Sequence, residues 1–165
     1  MVQGLGTFKN MKIISRSVKN TKAIGVKIAK FTEPGDIICL YGGLGSGKTV
    51  LAKGVAQGLG VNPDSVISPT FVILRAYDTK PQLYHFDLYR MISQKDMAVL
   101  GIEEYLYSNA ISVIEWPERL AKLLPEEFLR IELKIKDKNT RVLKITGSGK
   151  QYKNKAKTIY ENIRN

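Results

Sequence analysis

The stretch from Asp36 to Thr49, DIICLYGGLGSGKT, decides the fold class of this 165-residue chain. Its first part, Asp36–Tyr41, is an almost wholly apolar run, which is typical of a buried parallel strand. A glycine-rich loop follows, and apolar side chains then recur at helical spacing over Thr49–Leu59. A strand, a glycine loop and a helix in this order are what a backbone site for phosphate requires.

The glycine loop, Gly42–Thr49, matches the P-loop pattern G-x-x-x-x-G-K-[ST] in full. Glycine allows the backbone N–H groups to wrap a phosphate, and the positive end of the following helix favours the anion. In this pattern Lys48 binds the β- and γ-phosphates, and the Thr49 hydroxyl binds Mg²⁺. The nucleotide-binding residues predicted in and after the loop are Gly43, Leu44, Gly45, Ser46, Gly47, Lys48, Thr49 and Val50. An ordinary glycine-rich turn is disfavoured because a strand and a helix flank the loop.

Strand and helix patterns alternate on both sides of this unit, which predicts a single α/β domain over residues 1–165, with residues 1–10 as an N-terminal extension. The fold class we expect is a P-loop NTPase-like three-layer sandwich around a mostly parallel central sheet with antiparallel hairpin strands. The other predicted strands are Met11–Ser15, Thr70–Tyr77, Leu83–Tyr89, Ala110–Trp116, Phe128–Lys136 and Arg141–Thr146. The other predicted helices are Ser17–Lys30, Asp96–Leu106 with a break near Gly101, Glu118–Leu124 and Gln151–Ile163.

The composition excludes several classes of protein. The longest run without a charged residue is Ile37–Gly47, eleven glycine-rich residues that are too few to span a membrane. Cys39 is the only cysteine and His85 the only histidine, so an internal disulfide and a multi-histidine metal site are excluded. The sequence therefore predicts a reduced, cytoplasmic protein without a membrane partner.

The net charge of +11 is concentrated at the two ends of the chain. Residues 1–32 carry seven basic and no acidic side chains, and residues 130–165 carry eleven basic and three acidic ones, whereas residues 33–129 are slightly acidic. Converging basic ends would attract RNA or an acidic protein surface, and an ordinary solvated surface is equally consistent with the counts. Tyr152 and Tyr160, among the C-terminal lysines, fit either base stacking or packing of a helix face on the core.

Two carboxylates, Asp87 and Glu115, stand at the carboxyl ends of predicted strands. Mg²⁺ needs oxygen ligands beside the P-loop, and hydrolysis needs a group that orients water, so both acids are candidates; exposed strand-end charges are the alternative. A GTPase is disfavoured because no segment matches the guanine-reading N-K-x-D pattern. A small-molecule phosphotransferase, with one of these acids as the base, remains an alternative function. A nucleotide-independent RNA-binding module is a third, which the intact Lys48-Thr49 pair argues against.

Six motifs occur in order between about Met11 and Tyr152. They are Ser17-x-x-x-Thr21, Leu44–Thr49, Ser68–Phe71, His85-x-Asp87-x-Tyr89-Arg90, Gly101–Tyr105 and Ile114–Trp116. In this set the chain resembles the TsaE (YjeE) family of P-loop ATPases of bacterial tRNA threonylcarbamoyladenosine synthesis. The chain departs from the family at Gly43, where an acid is usual, and at Val50, where a second threonine is common. Neither departure removes a group that phosphate binding needs, but Gly43 leaves the role of that acid without a residue here.

The resemblance implies that the cofactors are ATP or ADP with Mg²⁺. Thr49, Asp87 and Glu115 would surround the Mg²⁺, and Glu115 would also position the attacking water. With Lys48 and Thr70, Glu115 makes up the catalytic set that we predict.

Two further expectations come from the same resemblance. Ser68–Phe71 would be a switch-like segment near the γ-phosphate, with Thr70 as its polar contact; an ordinary turn before a strand is the alternative. Thr21 would lie near the adenine, and the alternative for Ser17 or Thr21 is an N-cap of the first helix.

Members of this family are similar in being weak ATPases that act with the threonylcarbamoyl transferase (TsaD) and its inactive paralogue (TsaB). The resemblance therefore implies a partner-stimulated accessory ATPase that is required for the t6A37 modification of tRNAs reading ANN codons. The predicted partners are a TsaD-like transferase and a TsaB-like paralogue, and the tRNA that this complex holds.

Overall fold

A computed structural model describes residues 11–66, 73–91 and 93–164, which form a seven-stranded sheet with helices on both faces. The strands are β1 (Lys12–Ser15), β2 (Ile37–Tyr41), β3 (Leu74–Tyr77), β4 (Leu83–Asp87), β5 (Ile111–Glu115), β6 (Phe128–Ile135) and β7 (Arg141–Ser148). The helices are α1 (Val18–Ala29), α2 (Lys48–Gly58), α3 (Gln94–Leu100), α4 (Ile102–Leu106) and α5 (Lys150–Ile163), and two 3₁₀ segments cover Pro63–Ser65 and Pro117–Leu123.

The strand order is β1-β7-β6-β2-β5-β4-β3. The four central strands, β6, β2, β5 and β4, run parallel to one another, while β3, β7 and β1 pair antiparallel at the two sides. The expected antiparallel hairpin strands are present, as the pairs β3–β4 and β6–β7. Because parallel strands end at the same edge of a sheet, the carboxyl ends of β2, β4 and β5 lie side by side.

The side chains of β2 show how the sheet is buried on both faces. Ile38 and Leu40 join the core formed with α1, α2 and α5, whereas Ile37 and Cys39 join the core formed with α3, α4 and the second 3₁₀ segment. This alternation follows from the two-residue period of a strand, and it explains the nearly continuous apolar run in the sequence. The predicted three-layer sandwich is confirmed.

Helices α1 and α2 lie unusually close together because glycines face each other between them. A Cβ on Gly54 would lie 2.2 Å from the carbonyl oxygen of Lys22, and one on Gly25 would lie 2.4 Å from that of Leu51. No other residue leaves room for this backbone contact. The contact fixes α1 beside the helix that begins at the P-loop.

Capping residues and a glycine define the boundaries of three helices. Ser17 caps α1 by accepting a hydrogen bond from the Asn20 N–H at 3.0 Å, as its alternative role predicted. Ser93 and Asp96 form a capping box, so α3 begins two residues earlier than the sequence predicted. The predicted break near Gly101 is present, with φ of 62° separating α3 from α4.

Two predicted elements differ in detail from the structure. The segment after Pro117 is a 3₁₀ segment, not an α-helix, because the backbone kinks at Ala121, where φ is 48°. Strand β3 begins at Leu74, because Ile73 has a left-handed backbone with φ of 67°, and residues 70–72 of the predicted range lie outside the described residues. Within the described ranges, no helix is long and apolar enough to cross a membrane.

Candidate nucleotide-binding site

The predicted site residues meet at the carboxyl edge of the central strands. The P-loop follows β2, Asp87 ends β4 and Glu115 ends β5. A pocket of about 320 Å³ lies between them, lined by residues 44–50 together with Asp87, Tyr89, Glu115 and Trp116. Strands β4 and β5 pair with Asp87 opposite Glu115, so the two carboxylates come together through sheet register alone.

The P-loop has a backbone that only glycine tolerates at several positions. Gly42, Gly45 and Gly47 have φ of 146°, 74° and 103°. A Cβ on Gly42 would lie 2.6 Å from the Ser46 Oγ. The loop leads directly into α2, whose first backbone N–H groups have no partner within the helix and so point toward an anion site.

Lys48 is held inside this loop by its own backbone. Its Nζ donates to the carbonyl oxygens of Gly42 at 2.6 Å and Gly43 at 3.0 Å, and lies 3.8 Å from the centre of the Trp116 ring. The residue is only 4% exposed, and burial lowers the pKa of its ammonium group, while nearby carboxylates, chiefly that of Glu115, act in the opposite direction. Its charge therefore lies inside the glycine loop with neutral carbonyls as its hydrogen-bond partners.

Glu115 is bonded through both of its carboxylate oxygens. Its Oε2 accepts a hydrogen bond from the Thr49 hydroxyl at 2.8 Å, and its Oε1 lies 2.8 Å from the His85 Nε2. Glu115 is 2% exposed, so these two contacts fix a buried carboxylate. The structure thus brings Thr49 and Glu115 together, two residues that are 66 positions apart.

Asp87 completes a set of oxygen donors. Its carboxylate accepts a hydrogen bond from the Tyr89 N–H at 3.1 Å, and the residue is 4% exposed. With Thr49 and Glu115 it provides one hydroxyl and two carboxylates, which are the hard oxygen ligands that Mg²⁺ takes together with nucleotide phosphates and water. Within the described part of the chain there is no group of three or more His, Cys, Asp and Glu that could hold a metal by itself. The residues present fit a magnesium ion whose coordination a nucleotide and water would complete.

His85 is the residue whose role the sequence did not predict. In the sequence it is the single histidine and part of a motif, whereas in the structure it is 1% exposed and contacts Glu115 directly. A carboxylate can only accept, so the His85 Nε2 carries the hydrogen in this contact, while Nδ1 has no partner among the described residues. The available signal was its spacing: residues 85 and 87 of one strand point to the same face.

The remaining predicted site residues to be placed are Thr21, Gly43, Leu44 and Thr70. Thr21 is buried against the loop, close to Gly47, but its hydroxyl bonds to Ser15 Oγ at 2.7 Å, so its contact with adenine stays a prediction. A Cβ on Gly43 would have no atom within 4 Å, so the acid that is usual there would find space. Leu44 is 73% exposed beside the pocket. Thr70 and the rest of the Ser68–Phe71 segment lie outside the described residues.

Two aromatic residues form one wall of the pocket. Trp116 has a left-handed backbone, with φ of 59°, and its ring lies 5.0 Å from that of Tyr89 at a tilt of 45°. Trp116 immediately follows Glu115, so this strained turn aims the indole at Lys48. Both rings line the pocket, and Trp116 also packs against the core formed with α3 and α4.

Comparison with known proteins agrees with this geometry. The sequence model of the family described as "Threonylcarbamoyl adenosine biosynthesis protein TsaE" matches residues 15–143. The tRNA threonylcarbamoyladenosine biosynthesis protein TsaE of Treponema pallidum is 39% identical over 125 residues, which cover 76% of this chain and 92% of that protein. The protein of the same name from Bacillus subtilis is 38% identical over 145 residues, covering 87% and 90%.

A solved structure shows the same fold. The crystal structure of YdiB from Bacillus subtilis superposes with a TM-score of 0.77 at 32% sequence identity, covering 92% of this chain and 94% of that one. Together with the P-loop, the paired carboxylates and the family match, this similarity identifies the chain as a member of the TsaE family of tRNA threonylcarbamoyladenosine biosynthesis.

Proposed function

We propose that this protein is a single-domain Mg²⁺-dependent ATPase that acts as the accessory ATPase of t6A37 modification of tRNAs reading ANN codons. The observation that supports the proposal is the convergence of Lys48, Thr49, Asp87 and Glu115 on one pocket beside a P-loop. Its hydrolysis is slow alone and is stimulated by a TsaD-like transferase with its TsaB-like paralogue. The reaction takes place in the cytoplasm, where the tRNA is modified.

Phosphate binding starts with an exchange of partners by Lys48. Its ammonium group gives up the carbonyls of Gly42 and Gly43 for the β- and γ-phosphate oxygens. Charge-assisted bonds to phosphate are stronger than bonds to neutral carbonyls, so the exchange favours the bound state. The loop glycines and the first turn of α2 add backbone N–H donors around the phosphates.

Thr49, Asp87 and Glu115 are the residues that would hold Mg²⁺. When bound, the ion neutralises charge that develops on the phosphates. Glu115 orients the attacking water through one carboxylate oxygen, while His85 keeps the other oxygen in place. Thr70 remains the predicted contact of the γ-phosphate, and Thr21 that of the adenine.

The experiment that tests this function compares ATP turnover by the purified protein alone and with the transferase pair. We expect slow release of phosphate alone and a clear rise when both partners are present. If a small hydroxyl compound instead takes up the γ-phosphate in proportion to ATP consumed, the alternative applies. In that case the protein is a P-loop phosphotransferase, with Asp87 or Glu115 as the base that activates the acceptor.

A further inference from the structure

One half of the sheet has a face that no helix of the described chain covers. Helices α3 and α4 and the second 3₁₀ segment bury a core that includes residues of β2, β4 and β5. From β6 this core takes only Phe128, and it takes nothing from the described residues of β7 and β1. Among the described residues, nothing packs on the face of β6, β7 and β1 that lies opposite α1 and α5, and the charged side chains there are partly or fully exposed.

Sheet register places a set of charged side chains on this open face. Lys12 of β1 lies opposite Lys144 of β7, which lies opposite Glu132 of β6, and residues opposite each other in antiparallel strands point the same way. Arg130 and Lys134 share the face, because Leu129, Ile131 and Leu133 between them point into the other core. We call Lys12, Arg130, Glu132, Lys134 and Lys144 the basic sheet face.

The charge of the basic sheet face is only slightly compensated. It holds four cations and one carboxylate, and the Lys134–Glu132 ion pair, at 3.2 Å, joins a lysine whose side chain is 72% exposed. Such exposed pairs contribute little free energy and do not neutralise a surface. The guanidinium of Arg130 lies over the ring of Tyr41, 3.6 Å from its centre, and an aromatic ring does not cancel its charge.

The chemistry of this face distinguishes between two kinds of partner. Lysine is depleted from the cores of protein–protein interfaces, because its strongly hydrated charge is costly to bury there. Lysines on a surface neutralise phosphates of a nucleic-acid backbone and release its counterions, and neighbouring strands about 5 Å apart present cations in rows. An RNA backbone therefore fits this face better than an acidic protein does.

The basic sheet face also adjoins the nucleotide site. Tyr41, which Arg130 covers, directly precedes the first glycine of the P-loop. At the same edge of the sheet, but on its opposite face, the Arg141 Nη2 of β7 donates to the carbonyl oxygen of Gly45 at 3.3 Å. A ligand on this face would therefore lie beside the loop that binds the phosphates of ATP.

We propose that the basic sheet face binds the phosphate backbone of tRNA, which gives the protein a direct contact with the nucleic acid that its partners modify. This proposal rests on the proposed function, since it takes the tRNA of that pathway as the ligand. It differs from the expectation drawn from the basic C-terminal helix, because Lys155 of that helix is already bonded to Asp36 and Glu33.

The test uses two double variants of the full chain with the same change in charge. Lys12→Glu with Lys144→Glu alters the basic sheet face, and Lys153→Glu with Lys157→Glu alters two exposed lysines of α5. Affinity for an unmodified tRNA transcript is measured by fluorescence anisotropy at salt concentrations from about 50 to about 200 mM. Contacts to the phosphate backbone weaken strongly as salt rises through this range. A third variant, Lys12→Gln with Lys144→Gln, removes charge without introducing repulsion.

We expect the sheet variant to lose at least tenfold in tRNA affinity and to lower the salt slope by about two, one for each phosphate contact removed. The glutamine variant should lose less, and the α5 variant should bind as the wild type does. Equal losses in the sheet and α5 variants, or no tRNA binding by the wild type, would overturn the proposal. So would a sheet variant that keeps tRNA but loses the transferase pair, since that result defines a protein interface.

ATP binding is measured on the same three variants and the wild type. We expect the same nucleotide affinity in all four proteins, which shows that the variants are folded. If the wild type bound tRNA but not ATP, the proposed ATPase function would fail while the basic sheet face stood. The two failures are therefore distinguishable.

Discussion

Two lysines stand at opposite ends of β2, and their surroundings differ in kind. Lys48, beyond the carboxyl end, bonds to two backbone carbonyls and lies against an aromatic ring. Lys155, beyond the amino end, bonds to Asp36 at 2.5 Å and to Glu33 at 2.9 Å. The first cation is held by neutral groups that it can exchange for phosphate, whereas the second is neutralised by carboxylates.

Another polar group near Lys155, the hydroxyl of Tyr152, also has a hydrogen-bond partner within the protein. The hydroxyl of Tyr152 accepts a hydrogen bond from the Ile37 N–H at 3.1 Å, and burial raises the pKa of Tyr152 to about 12. This tyrosine is 6% exposed and belongs to the core, so packing, and not base stacking, is its role. The cation at the amino end of β2 therefore has its charge balanced by carboxylates, whereas the cation at the carboxyl end has neutral partners that a phosphate could replace.

The largest effect should come from Glu115→Gln, at the carboxyl end of the central strands. We expect ATP turnover in the presence of the transferase pair to fall about 100-fold or more, because the amide cannot orient water as the carboxylate does. Single-turnover hydrolysis measures this rate, and nucleotide affinity without Mg²⁺ should be unchanged. Glu118→Gln is the matched control, since Glu118 is exposed and only acts on Lys48 from a distance. Equal rate losses in both variants would contradict the assigned role.

The next effect should come from Lys48→Ala. Loss of charge-assisted bonds to the phosphates should weaken ATP binding about 10- to 100-fold, which corresponds to about 1.4 to 2.7 kcal/mol. Isothermal titration calorimetry measures the affinity. The free energy of unfolding should change less than the free energy of ATP binding, because Lys48 bonds to two loop carbonyls and lies over Trp116 at the wall of a pocket that water can fill. Unchanged ATP affinity would end the P-loop assignment.

Lys155→Ala should give the opposite result. Asp36 is 4% exposed and would lose its cation, so we expect the free energy of unfolding to fall by about 2 kcal/mol. Urea denaturation measures the loss, and ATP affinity should not change. Lys153→Ala, at an exposed position of the same helix, should remain within about 0.5 kcal/mol of the wild type. A weaker ATP affinity in Lys155→Ala would remove the contrast between the two ends.

The smallest effect should come from His85, which acts on the reaction through Glu115. His85→Leu should slow single-turnover hydrolysis about tenfold, because one carboxylate oxygen loses its donor. His85→Gln restores an N–H donor near the Nε2 position and should recover most of the rate. ATP affinity is the second readout, and it should stay constant in both variants. If leucine and glutamine slow the reaction equally, His85 is a packing residue.

The local units of the fold were predictable because their signals lie within a few residues. The apolar run of β2, the glycines of the P-loop and the alternation of β6 and β7 each encode their own backbone geometry. The missed details have local causes too: the backbone at Ala121 turns with a positive φ that residue type does not announce. At Ser93 the capping box extends α3 beyond its apolar pattern.

The sequence by itself determined a strand, a phosphate loop and a helix at residues 36–59, and with them the fold class and the position of Lys48 and Thr49. Only the tertiary structure decided that His85 contacts Glu115, that Thr49 bonds to the same carboxylate, and that Lys155 pairs with Asp36 at the amino end of β2. The physical reason is the distance along the sequence between the residues that determine each feature. A loop conformation follows from the φ angles that its own residues allow, whereas these contacts join residues 30 to 119 positions apart. They exist only once strand order and register bring the segments together.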